Sequence, residues 1–112
     1  MIDVKYGLLP KENFCKYYDF LINKTYKILP MKEEGSQTLK AYLEGLLREL
    51  IGNKELISIL TNEPQFISVL NSIQFLISED YSVQVCKKEV FKCIHILNKI
   101  NATYFKDGDS NG

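Results

Sequence analysis

The chain has 112 residues, 46% hydrophobic and 25% charged, with 14 basic and 14 acidic side chains in balance. That is one domain's worth of chain, able to bury a core without disulfides or metal and too apolar to remain disordered. The balanced charge excludes a global field drawing the protein to nucleic acid or anionic lipid, and no apolar run approaches the ~18 residues of a membrane span, so no membrane partner is expected.

Ile2, Val4 and Tyr6 alternate ahead of Gly7, a strand-like pattern that predicts a short extended N-terminal arm. No basic leader precedes a long apolar run there, so no signal peptide is expected. With the odd cysteine count (Cys15, Cys86 and Cys93), this points to a reducing cytoplasm. The abundance of Lys, Ile, Asn and Tyr suggests an AT-rich, bacterial or phage, coding genome.

Pro10 suits the first turn of a helix, which the spacing predicts over residues 10–29. Phe14, Tyr17, Tyr18, Leu21, Ile22, Thr25, Ile28 and Leu29 fall within about 140° of arc, and Pro30 is read as its stop. Phe20 lies off this stripe. After a polar loop, Ser36 or Thr38 can cap a second helix. Its stripe of Leu39, Tyr42, Leu43, Leu46, Leu47, Leu50 and Ile51 is the strongest amphipathic signal in the chain. Gly45 either costs this helix stability or marks a close approach of another, and Gly52 reads as a left-handed stop.

A short third helix is then expected over Asn53 to Leu60. Asn62-Glu63-Pro64-Gln65 resembles a capping box, with Asn62 as cap. The fourth helix runs to about Ile77, with Phe66, Val69, Leu70, Ile73, Leu76 and Ile77 on its main face and Ile67 and Phe75 elsewhere. Apolar residues on more than one side predict a place at the centre of the fold or at a subunit interface. The fifth helix, from about Val83 to Tyr104, turns Val83, Cys86, Val90, Cys93, Ile94, Leu97, Ile100 and Tyr104 inward. Residues 107–112 contain no apolar residue and are expected to be disordered.

Motifs that carry chemistry are missing. Cys86 and Cys93 lie about 10 Å apart along one helix face, beyond the reach of a disulfide, and do not have metal-ligand spacing. His95, the single histidine, has no nucleophile paired with it by any local motif. The glycines are scattered singly, so no phosphate-cradling loop appears. No catalytic residue, metal or cofactor is therefore expected.

Charge is unevenly placed. Residues 31–80 carry four basic against eight acidic side chains, while 81–106 carry five lysines against Glu89. Such segments can complement one another within the fold or across a dimer. On the fifth helix Lys88, Lys92, His95 and Lys99 fall within about 60° of one another, flanked by Phe91 and Ile96. The stripe is either the solvated back of an amphipathic helix or a contact for phosphates or an acidic surface. A helix-turn-helix formed by helices four and five fits poorly, given the five-residue break and the apolar breadth of helix four. Phe20 and Phe75 either reach neighbouring helices or expose an apolar patch for association.

Together these features predict an all-α fold: a compact bundle of four main helices plus one short helix, forming a single domain over 1–106. The function expected is a small non-enzymatic interaction module (adaptor, regulatory subunit or immunity-type binder) that binds another protein or itself as a homo-oligomer. The candidate contact residues are Phe20, Phe75, Lys88, Phe91, Lys92, His95 and Lys99. The alternative is nucleic-acid association through the lysine stripe.

Overall fold

The computed structural model describes residues 2–4, 7–9, 11–56, 60 and 63–105. The extended N-terminal segment doubles back on itself: β1 (Ile2–Val4) pairs antiparallel with β2 (Gly7–Leu9), Ile2 facing Leu9 and Val4 facing Gly7. Among the described residues five α-helices follow: α1 (Lys11–Tyr26), α2 (Ile28–Glu33), α3 (Leu39–Leu56), α4 (Pro64–Ser78) and α5 (Val83–Ile100), the last continuing into a π-helical turn, Asn101–Phe105. The all-α bundle read from the periodicity is the fold. The expected disordered tail, 107–112, and Tyr6 lie outside the described residues.

The first helix ends at Tyr26, three residues before the stop read from Pro30. In a continuous helix the Pro30 ring would meet the carbonyl of Tyr26. The chain instead turns at Lys27 and restarts, with Pro30 third in α2, where its missing N–H has no intrahelical bond to lose. Gly35 ends α2 at φ 69°, its N–H bonding to Lys32 O at 3.1 Å while that of Ser36 bonds to Met31 O at 2.9 Å. This paired closure needs the left-handed conformation glycine adopts freely.

Gly52 does not stop the next helix. Helix α3 runs through it to Leu56 with no left-handed residue, absorbing the first half of the expected short helix. Asn53 is buried in this extension, where its amide donates to Glu49 O at 2.9 Å and to Tyr17 Oη at 3.2 Å. Residues 57–59 lie outside the described residues. The cap of α4 is Glu63, one residue later than the capping box implies; its carboxylate accepts from Gln65 N at 3.0 Å, with Pro64 in the first helical position. Asn62 lies outside the described residues. Ser82 caps α5, accepting from Val85 N at 3.2 Å.

Helix α5, not α4, is the hub. It packs against α4, α1 and α2, while α4 packs against α5 and α3. Phe75 and Ile67, the residues that suggested a central α4, remain exposed, as does Val83. The core joins Tyr18, Leu21 and Ile28 with Leu43, Leu46 and Leu50, Phe66, Val69 and Ile73, and Val90, Cys93 and Leu97. Fully burying each such side chain is worth roughly 1.5–3 kcal/mol before conformational entropy is charged against it. Round the bundle, α1, α5, α4 and α3 are successive neighbours, and long polar side chains close the circuit from α3 to α1.

Candidate functional site

The outer face of α5 is the first candidate. Lys88, Phe91, Lys92, His95 and Lys99 are all exposed, with Ile96 half-buried beside them. Lys92 lies 3.5 Å from Glu89 one turn back, while Lys88, His95 and Lys99 face solvent. Phe91 does not stand alone. Its ring meets Tyr26, at the end of α1, edge to face at 6.2 Å and 78°, yet the two rings stay 48% and 45% exposed. Lys88 and His95, three before and four after Phe91, are its neighbours on the helix surface. The exposed Lys27 follows Tyr26 in the chain. The result is a two-helix aromatic patch edged by Lys27, Lys88 and His95. Tyr26 was not legible as part of it, because it lies off the core arc of α1 and meets Phe91 only through the α1–α5 packing.

Phe20 and Phe75 belong to separate places. Phe20, 52% exposed, lies 6.5 Å from Tyr17 on its own helix, with the Lys24 ammonium 5.1 Å from its ring centroid. Phe75 stacks on Tyr81 of the α4–α5 connection at 4.2 Å and 16°, and the Tyr81 hydroxyl lies 3.2 Å from Ser78 Oγ. The structure therefore distributes the two phenylalanines over different aromatic pairs.

Between α1 and α3 runs a polar seam that no local pattern signalled. Tyr17 Oη donates to Glu49 Oε2 at 2.5 Å, Lys24 Nζ to Glu49 Oε1 at 2.7 Å, and Tyr42 Oη to the Lys24 carbonyl at 2.6 Å. Burial pushes the Tyr17 phenol up to about 12, and its bond to Glu49 adds to the rise. Burial alone would raise Glu49, but the hydrogen bonds from Lys24 and Tyr17 and the Lys24 charge outweigh it and hold the carboxyl below its usual range. Lys24 and Glu49 also join residues 1–30, with five lysines against three acidic side chains, to the acidic middle of the chain, a complementarity within the fold. These interlocking bonds are suited to fixing two helices together.

A half-open cleft of about 470 Å³ lies where the α2–α3 connection faces the end of α4. Leu43, Leu76 and Cys86 form its buried apolar side, and Lys32 reaches Asp80 across it at 2.5 Å. That hydrogen bond and the Lys32 charge hold the Asp80 carboxyl below its usual range.

All three cysteines are free thiols. Burial raises the Cys86 thiol, and it pushes Cys93 up to about 11 against a smaller opposing pull from the Ser72 hydroxyl. Both face the core as packing residues, away from His95 on the exposed side. Among the described residues no group of three or more His, Cys, Asp or Glu is placed to hold a metal ion, and no helix is long and apolar enough to cross a membrane. Compared with protein-family models, curated proteins and solved structures, the chain matched none.

Proposed function

We propose that the chain is a small non-enzymatic interaction module that binds another protein through the outer face of α5 and the adjoining end of α1. The observation that carries this reading is the Tyr26–Phe91 pair, two half-exposed residues from different helices held edge to face with Lys27, Lys88 and His95 beside them. Rigid aromatic side chains are the usual energetic anchors of protein interfaces, and bordering cations speed encounter with an acidic surface and orient it. The partner is accordingly a protein presenting an apolar side chain among carboxylates. Three free thiols fit a reducing compartment, so the cytoplasm is the proposed location.

Nucleic-acid association is the second reading, favoured by the solvent-facing line of Lys88, Lys92 and Lys99. It is the weaker, because α5 carries no arginine to supply a bidentate fork to phosphate or base. Self-association through the same patch is a third, read out by the mass of the purified chain in sedimentation.

The test is affinity purification of the tagged chain from its native cell, with nuclease treatment, for the wild type and for Phe91→Ala. A stoichiometric protein that survives nuclease and is lost with Phe91→Ala supports the module. Recovery of nucleic acid alone, released steeply by salt and by Lys88→Glu with Lys92→Glu, replaces it with the second reading.

A further inference from the structure

The cleft beside α2 contains an ion pair of unequal members. The Lys32 side chain is 16% exposed, its stem forming part of the wall, whereas the Asp80 side chain is 95% exposed and stands on the connection between α4 and α5. Among the described residues, Asp80 is the anion that Lys32 reaches and Lys32 the cation that Asp80 reaches. Moving Asp80 outward returns an already hydrated carboxylate to water at little cost. Removing Lys32 would instead take away part of the wall.

Charge and shape narrow the class of ligand that could stand in for Asp80. The rim carries Lys32 and Lys40 against Glu79 and Asp80. One incoming negative charge exchanged for that of Asp80 leaves this balance unchanged, whereas a dianion would face the remaining Glu79. The apolar part of the lining is largely aliphatic, with Leu43, Leu76 and the thiol of Cys86 buried and Met31 and Leu39 half-buried, beside the polar Ser36, Gln37 and Ser78. The volume, about 470 Å³, is within the range of small-molecule sites.

We propose that this cleft binds a small aliphatic monocarboxylate, whose carboxylate replaces Asp80 at Lys32 while its alkyl chain lies along Leu43 and Leu76. Asp80 then acts as an internal competitor whose side chain swings into water when the ligand binds. The site is independent of the α5 outer face, so neither proposal depends on the other.

Octanoate is the probe, titrated into the isotope-labelled full chain and followed by amide chemical shifts, with octanol and octylamine as neutral and cationic counterparts. Saturable shifts confined to residues 31–43 and 76–86 are expected for octanoate and absent for the other two. Asp80→Asn, which removes the competitor but keeps its shape, is expected to bind about twofold to fivefold tighter, the range set by losing one solvent-exposed ion pair. Lys32→Gln is expected to bind at least about tenfold more weakly. If Lys32→Gln does not fold, Asp80→Asn decides alone. The proposal is overturned by octanol binding as well as octanoate, by shifts that scatter over the surface without saturating, or by an Asp80→Asn affinity no higher than that of the wild type.

Discussion

The seam between α1 and α3 allows a quantitative test in the pair Tyr17 and Glu49. Tyr17→Phe deletes a hydroxyl that donates to Glu49 at 2.5 Å and accepts from Asn53 at 3.2 Å. A hydrogen bond to a charged group contributes about 1.5–3 kcal/mol net. The Glu49 side chain is 27% exposed, so water can replace a lost partner, and the low end of that range, ~1.5 kcal/mol, applies here. For a domain of this size that lowers Tm by roughly 6 °C. Glu49→Gln also removes the charge facing Lys24, adding up to ~1 kcal/mol. A double-mutant cycle of Tyr17→Phe and Glu49→Gln should give a coupling of about 1 kcal/mol at neutral pH.

The coupling should also depend on pH. The folded Glu49 carboxyl lies below its ordinary 4.5, so its contribution is complete above that value and is lost as pH falls through the depressed one. Denaturant unfolding followed by circular dichroism, for the four proteins at neutral pH and at steps below 4.5, measures both quantities. A coupling below about 0.3 kcal/mol, the ordinary error of additivity, would refute the charge-assisted lock. So would a coupling that acidification leaves unchanged.

Four further outcomes are expected. Gly45→Ala should stabilise the protein by about 0.5–1 kcal/mol in the same unfolding assay, because the added Cβ meets only Arg48 Nη2, at 3.9 Å. Leu97→Ala should cost about 2–5 kcal/mol, enough to unfold a marginal domain, because Leu97 is fully enclosed in the core at the hub helix. Above pH 10 stability should decline, since phenols ionise in the unfolded chain while Tyr17 resists to about 12 and the deeply buried Tyr18 to higher values. The tyrosinate absorbance belonging to Tyr17 and Tyr18, obtained by difference from Tyr17→Phe and Tyr18→Phe, should therefore rise together with loss of the helical signal, and ordinary titration of both phenols in a fully helical protein would contradict this. Cys93, enclosed in the core, should react with a thiol reagent only at the rate of unfolding, whereas Cys15, half-buried, should react faster.

The elements most legible in the sequence were those whose evidence is local. The stripe of α3 shows this. Leu43, Leu46 and Leu50 are buried as their spacing requires, and Ile51, at its edge, is exposed. The inward residues of α5 from Cys86 to Ile100 were legible for the same reason. Boundaries were less so, because a breaker residue has more than one outcome. Pro30 moved the end of α1 back to Tyr26 and entered α2, and Gly52 was carried inside α3, where Asn53 is held by Tyr17 from another helix.

The lysine stripe of the candidate surface could be read directly, since residues three and four apart share a helix face whatever packs beneath them. Its aromatic centre could not, because Tyr26 and Phe91 meet only once α1 lies along α5. The seam of Tyr17, Lys24, Glu49 and Asn53, and the cleft with its Lys32–Asp80 pair, are likewise products of packing. By itself, then, the sequence determined that this chain forms amphipathic helices, and which faces they bury, because the hydrophobic effect acts on a periodicity written into adjacent residues. Which helix became the hub, and which polar groups met, was decided only by the tertiary structure, because those contacts join residues from separate helices whose spacing carries no record of one another.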